Sequence, residues 1–241
     1  MDRFDMLFND SNVDKGQLAL NPNLTPDQID LLYSRDDVDK DHLARHSKLT
    51  DEQFNRFFNA SDVNMIYLAM NPDLTTEQID FLYATEGVDK DYLAQYSELT
   101  DEQFNLLFNV SDVNMIYLAR NSNLTTEQID LLYSTENVNK DELAQYPELT
   151  DEQFHRFFND SDVNKDYLAR NPHLTPDQID LLDSTEGVEK DYLAYFPKLT
   201  DEQFMRFFND EVVNKGFLAH NPSINPLPLN KWQSGIFNWS W

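Results

Sequence analysis

Residues 74–98 read LTTEQIDFLYATEGVDKDYLAQYSE, and this 25-residue pattern runs through most of the chain. The pair Leu-Thr recurs at every 25th residue from 24 to 199, with no insertion or deletion. A valine keeps the same step from 13 to 213 and precedes a Leu-Ala pair by five residues. A fixed period of this length is typical of repeat proteins. We therefore expect nine repeats, the first one truncated, in a repeat domain over residues 1–225.

Each repeat carries the start signals of two short helices. Thr75 is placed as an N-cap, Gln78 closes a capping box, and Leu74 and Ile79 form a hydrophobic staple. The second helix starts in the same way at Asp89, and an Asn-Pro pair is expected to end it in four repeats, at residues 21–22, 71–72, 171–172 and 221–222. Helices of about ten and eight residues are too short to persist alone and must be stabilised by stacking on neighbouring repeats. The sequence therefore predicts an all-α solenoid of nine 25-residue two-helix repeats.

A 50-residue superperiod lies over the repeat, because most odd repeats carry Phe-x-x-Phe-Phe where even repeats carry mostly Ile-Asp-Leu-Leu-Tyr. The pattern ends before residues 226–241, which hold the three tryptophans, Trp232, Trp239 and Trp241. A solenoid must cover its last apolar face, so we expect an aromatic C-terminal cap. The alternative is a tail that docks into a partner or a second copy.

The motif Leu-Thr-x-x-Gln-Ile-x-x-Leu, followed by Val-x-Lys-x-x-Leu-Ala-x-Asn-Pro, resembles the variant leucine-rich repeats and HEAT-like short helical repeats of bacteria and phages. That resemblance implies an α-solenoid that serves as a binding surface. The chain departs from the variant leucine-rich pattern because Lys or Met stands where those repeats carry Arg after the valine. It also lacks their cysteine-rich N-terminal cluster.

Charge and composition exclude several kinds of function. The chain of 241 residues has 44 acidic and 18 basic residues, a formal net charge of −26 and a pI near 4.2. Nucleic acids and anionic membranes need a basic surface, so we expect no direct binding to either. The absence of cysteine excludes disulfides and thiolate chemistry. No apolar run approaches a membrane span of about 18 residues. These features predict a soluble, cytoplasmic protein.

The acidic residues divide into two groups. About half lie in first helical turns or at caps, where a carboxylate satisfies free amides and complements the helix dipole. Their repetition predicts two acidic ladders, with a step of about 10 Å per repeat against about 3.4 Å between phosphates along one DNA strand. The remaining acids have no local explanation, and we predict that a partner contacts ten of them: Asp30, Asp80, Asp130, Asp180, Asp62, Asp112, Asp162, Glu86, Glu136 and Glu186.

Two repeats carry apolar residues where other repeats begin the second helix with lysine. These residues are Met65 and Ile66 in repeat three and Met115 and Ile116 in repeat five. They are either extra packing against the adjacent repeat or an apolar contact patch. In the second case Tyr67 and Tyr117 would be anchors, together with Trp232, Trp239 and Trp241, because interfaces favour aromatic side chains.

Catalytic and metal sites are not expected. Residues 160–171 superficially resemble a calcium loop, but Lys165 replaces the required glycine and Asn171 the bidentate glutamate. The histidines occupy non-equivalent positions, and we expect all of them on the surface. We predict no enzyme activity and no cofactor.

The sequence therefore predicts a non-catalytic acidic solenoid that binds a protein with a basic, nucleic-acid-binding surface. It would block that protein by DNA-mimic charge and shape, as an anti-defence inhibitor from a phage or mobile element would. The alternative is a self-associating scaffold, a homodimer or larger assembly, built on the apolar breaks and the tryptophan tail.

Overall fold

The computed structural model describes residues 3–224 and shows an all-α solenoid of tandem repeats in which first and second helices alternate. The described residues form 18 helices and no strand. The chain divides into two compact units, residues 1–114 and residues 115–241. The predicted fold class is confirmed for the repeats. Residues 226–241, for which we predicted an aromatic cap, lie outside the described residues.

The helices of the first unit are α1 (Arg3–Asn9), α2 (Lys15–Ala19), α3 (Pro26–Tyr33), α4 (Lys40–His46), α5 (Asp51–Phe58), α6 (Met65–Ala69), α7 (Thr76–Ala84), α8 (Lys90–Tyr96) and α9 (Asp101–Asn109). Those of the second unit are α10 (Met115–Ala119), α11 (Thr126–Ser134), α12 (Lys140–Gln145), α13 (Asp151–Asn159), α14 (Lys165–Ala169), α15 (Pro176–Asp183), α16 (Lys190–Tyr195), α17 (Asp201–Asn209) and α18 (Lys215–Leu218).

The predicted capping boxes are all formed. In α7 the Thr75 hydroxyl accepts a hydrogen bond from the Gln78 amide at 3.3 Å, and the Gln78 side-chain oxygen accepts one from the Thr75 amide at 3.1 Å. Leu74 and Ile79, which form the staple, are buried. The same box begins each of the remaining first helices from α3 to α17. Every one of these helices therefore begins at a position dictated by its own sequence.

The second helices are shorter than predicted, and a buried asparagine explains where those of the odd repeats end. The Asn71 side-chain oxygen accepts from the Asp73 amide at 2.9 Å, which replaces continued helical bonding with a turn. Its side-chain amide donates to the Ala44 carbonyl at 2.6 Å and the Ser47 carbonyl at 2.9 Å in the preceding repeat. Asn171 and Asn221 make the same contacts. The asparagine therefore ends one helix and caps another.

The core repeats as regularly as the caps do. Ile79 and Leu82 of a first helix, and Leu93 and Ala94 of the following second helix, are at most 1% exposed. Within each unit the second helices of successive repeats pack side by side. This arrangement leaves the opposite face of each first helix, including position 81, open to solvent.

Candidate interaction surface

In six of the capping boxes the glutamine also joins its repeat to the preceding one. While the Gln53 side-chain oxygen completes the box, its Nε2 donates to the Pro26 carbonyl at 2.8 Å and to Asp30 Oδ1 at 2.7 Å. Gln103, Gln153 and Gln203 donate in the same way to Asp80, Asp130 and Asp180. Gln78 and Gln178 donate to Asp51 and Asp151. We call this contact the glutamine clamp.

An arginine completes three of these junctions. Arg56 Nη2 lies 2.5 Å from Asp30 Oδ1, and the hydrogen bonds from Gln53 and Arg56 hold the pKa of Asp30 below its usual range. The same ion pair joins Arg156 to Asp130 and Arg206 to Asp180. Three carboxylates that we assigned to a partner therefore also hold neighbouring repeats together. Their assignment to a partner remains a prediction.

In even repeats the first residue of the second helix is a lysine, and its ion-pair partner depends on the sequence of the next repeat. Lys140 pairs with Asp160 at 2.8 Å. Two repeats carry Ala60 or Val110 at the position of Asp160. There the lysine pairs two residues further on, as in the contacts of Lys40 with Asp62 and of Lys90 with Asp112. Two further predicted partner-binding acids thus have an ion pair within the chain.

A separate set of carboxylates is exposed, and the described structure shows no ion pair or hydrogen bond from their side chains. In the turns between first and second helices they are Asp36, Glu86, Glu136 and Glu186. Asp162, in the equivalent turn of repeat seven, belongs with them. In the first turns of first helices they include Glu52, Glu102, Glu152 and Glu202 of odd repeats, and Asp27, Glu77, Glu127 and Asp177 at the same position of even repeats.

Many of the basic side chains, in contrast, are engaged inside the fold. Nine of the lysines and arginines form ion pairs in the described residues: Arg35, Lys40, Arg56, Lys90, Arg120, Lys140, Arg156, Lys190 and Arg206. Three more lysines donate to loop carbonyls: Lys15, Lys165 and Lys215. Because these cations are bound internally, the charge presented to solvent is strongly negative.

The predicted apolar patch is partly used in packing. Met65, Ile66, Tyr67, Met115, Ile116 and Tyr117 are all half-buried. Met65 and Tyr67 pack against the core. In repeat seven the equivalent Lys165 donates to the Asp160 and Val163 carbonyls, which methionine cannot do. Met65 and Tyr67 therefore take part in packing, and a contact role for the six residues remains a prediction. Trp232, Trp239 and Trp241 lie outside the described residues.

A different set of exposed apolar residues was missed by the sequence interpretation. Leu31, Phe81, Leu106 and Leu131 are each between 41% and 45% exposed. All four occupy one position of the 25-residue repeat, which in repeats three, seven and nine holds Arg56, Arg156 and Arg206. Among the full odd repeats, Leu106 alone departs from the superperiod, since the other three carry arginine at this position. Alignment of this position across the repeats would have revealed the break.

A shallow groove of about 600 Å³ lies beside Leu106. Its lining residues are Tyr83, Glu102, Asn105, Leu106, Asn109 and Val110. At the equivalent place in two other junctions, the arginine lies over the tyrosine ring: Arg56 is 4.3 Å from the ring centroid of Tyr33 and Arg156 is 4.2 Å from that of Tyr133. The groove therefore occupies the region where other repeats hold a guanidinium.

The expectation that every histidine lies on the surface is wrong for His46. This side chain is 8% exposed, and burial lowers its pKa to about 4. Tyrosine or phenylalanine occupies the equivalent position in the other full even repeats, so His46 fills an aromatic site of the superperiod.

Three further features bear on function: possible metal ligands, membrane-spanning helices and similarity to known proteins. Between residues 3 and 224, no group of three potential metal ligands is placed to hold an ion. None of the helices in that range is long and apolar enough to cross a bilayer. No protein-family model, no curated protein and no solved structure matches the chain.

Proposed function

We propose that the chain is a non-catalytic acidic binding module whose ligand is a protein with a basic, nucleic-acid-binding surface. One observation carries the proposal: exposed carboxylates recur in the first turns of first helices, as at Glu52, Glu102, Glu152 and Glu202. Twelve of the 18 basic side chains are bound elsewhere in the fold, although Lys48 and Lys198 are exposed. We call these four glutamates the first-turn ladder.

Local structure holds the ladder in place before any partner binds. Each ladder glutamate precedes a clamp glutamine by one residue, so the capping box and the glutamine clamp fix the backbone on which it stands. Charges that are already positioned need little ordering on binding, which lowers its entropic cost. Repeated negative charge also attracts a basic partner over a distance of about 8–10 Å in physiological salt. These properties suit competition with nucleic acid, as an anti-defence inhibitor would require.

The proposal is tested by displacement of DNA from a basic protein. The probe is a lysine-rich linker histone bound to a fluorescent duplex of about 20 base pairs, a length that offers several phosphate contacts. The chain should release the duplex, measured as a fall in fluorescence anisotropy. Raising NaCl from about 0.05 to about 0.5 M should weaken binding of the chain to the histone alone, because salt screens exposed charges.

Two matched variants separate the ladder from net charge. One changes the first-turn ladder to glutamine; the other neutralises the exposed turn acids with Asp36→Asn, Glu86→Gln, Glu136→Gln and Glu186→Gln. Both remove four negative charges. We expect the ladder variant to displace DNA less well than the turn variant. A larger loss in the turn variant would place the contact on Glu86, Glu136 and Glu186, as the sequence predicts, and would refute the ladder. Equal displacement by the two variants, or binding insensitive to salt, would also refute the proposal.

A further inference from the structure

Three junctions between repeats are closed by an arginine that uses two contacts at once. Arg56 pairs with Asp30 and lies over the ring of Tyr33, and Arg156 makes the same two contacts with Asp130 and Tyr133. At the third junction Asp183 replaces the tyrosine, and Arg206 pairs with both Asp180 and Asp183. The aspartate and the residue three positions later therefore form a recurring guanidinium site.

The junction between α7 and α9 has the same site without its arginine. Asp80 still accepts from Gln103 at 2.7 Å, but Leu106 stands at the arginine position. Within the described residues Asp80 has no ion pair. Tyr83 also loses the edge-to-face ring contact that Phe57 makes with Tyr33, because Leu107 replaces that phenylalanine. What remains is the groove beside Tyr83.

We propose that Asp80 and the ring of Tyr83 form a binding site for an arginine side chain supplied by a partner protein. The inference rests on the proposed function, since a basic partner is the source of that arginine. Glu102 lines the same groove and adds a second carboxylate to it. Leu106 and Val110 offer apolar contact to the methylene groups of the arginine.

The other cation in this junction argues for arginine over lysine. Lys90 lies 5.2 Å from the ring centroid of Tyr83, as Lys40 lies 4.9 Å from that of Tyr33. In the complete junction the lysine and the arginine therefore both contact the ring, and of these two cations only the arginine is missing at Tyr83. A planar guanidinium can pair with a carboxylate and stack on a ring together, whereas an ammonium is a compact point charge.

The site is tested with a derivative of a single arginine, which is too small to contact all four glutamates of the first-turn ladder at once. Full-length chain labelled with ¹³C at Leu and Val methyl groups is titrated with N-acetyl-arginine methylamide and followed by NMR. We expect saturable shifts at the Val110 and Leu106 methyls, with a dissociation constant on the order of tens of millimolar for one such contact. The lysine derivative should shift them less, and Leu131, beside the occupied Arg156 site, should shift little with either.

Two variants decide whether the shifts come from this site. Leu106→Arg rebuilds the internal arginine found in three other repeats, so it should fold and should abolish the Val110 shifts. Asp80→Asn should weaken them. Unsaturable shifts, equal shifts with the lysine derivative, or persistence in Leu106→Arg would overturn the proposal. If the chain displaces DNA from the histone but does not bind arginine, only the arginine site is refuted. If it binds arginine but does not displace DNA, the first-turn ladder is refuted and the arginine site stands.

Discussion

The glutamine clamp predicts that the same substitution will destabilise one repeat and leave another nearly unchanged. Gln153→Glu keeps the side-chain oxygen that accepts from the Thr150 amide, and glutamate is an ordinary capping-box residue. It removes the Nε2 donor that binds the Thr126 carbonyl at 2.9 Å and Asp130 at 2.8 Å. If the glutamine served only the box, the substitution would be neutral or slightly stabilising, because a carboxylate is favoured in a first turn.

The expected loss follows from these contacts. Two donated hydrogen bonds contribute about 1 kcal/mol each. The new carboxylate is 98% enclosed if it adopts the position of Gln153, which is 2% exposed, and it faces a carbonyl and Asp130. That repulsion and desolvation add about 1–2 kcal/mol, with Arg156 offsetting part of it. We therefore expect Gln153→Glu to lower the free energy of unfolding by about 2–4 kcal/mol.

Gln28→Glu is the matched control. Gln28 forms the same capping box, but its Nε2 has no hydrogen-bond partner in the described residues. We expect this variant to stay within about 0.5 kcal/mol of wild type. Urea unfolding followed by circular dichroism gives both values, and hydrogen exchange in α11 and α13 detects local opening, because repeat arrays need not unfold in one step. Equal stability of the two variants would refute the clamp.

Other contacts predict further measurable changes. Leu106→Arg should raise the free energy of unfolding by about 0.5–1.5 kcal/mol, and Asp80→Asn should reduce that gain, as a double-mutant cycle in urea would show. Asn171→Ala should cost about 2–4 kcal/mol in the same assay, because it leaves two buried carbonyls without a donor. His46 should destabilise the folded chain as the pH falls from its ordinary pKa of 6.5 towards about 4, since the unfolded state binds the proton more readily. Relative to His46→Tyr, the loss should reach at most about 3 kcal/mol, and identical pH profiles would contradict it.

Local signals predicted the helices well because each start depends on residues close in sequence. Thr75 and Gln78 are three residues apart, and the staple of Leu74 and Ile79 spans the same turn. Helix ends were predicted in part. The Asn-Pro pair at residues 71 and 72 marks the end of α6 from the local sequence alone. The local pattern does not show that the Asn71 amide is held by carbonyls of the preceding repeat, 24 to 27 residues away.

The same limit explains why Asp30 had no visible explanation in the sequence. Its partners are Gln53 and Arg56, at separations of 23 and 26 residues. These separations follow from the period, because each connects one position of a repeat to a position of the next. A period predicts that such contacts recur, but the geometry of stacking decides which positions meet. Once one junction is known, its equivalents can be found by counting along the chain.

Departures from the period then become the most informative positions. At Met65 the lysine is lost, but its acceptors are backbone carbonyls, as the contacts of Lys165 show, and the methionine packs on the core. That exchange is used within the fold. At Leu106 the arginine is lost and Leu107 replaces a phenylalanine, whereas Asp80, Gln103 and Tyr83 keep the positions that hold a guanidinium elsewhere. Because Leu106 is 45% exposed, packing accounts for little of its exchange, and a cation from outside the chain is the chemistry that the remaining carboxylate and ring are suited to bind.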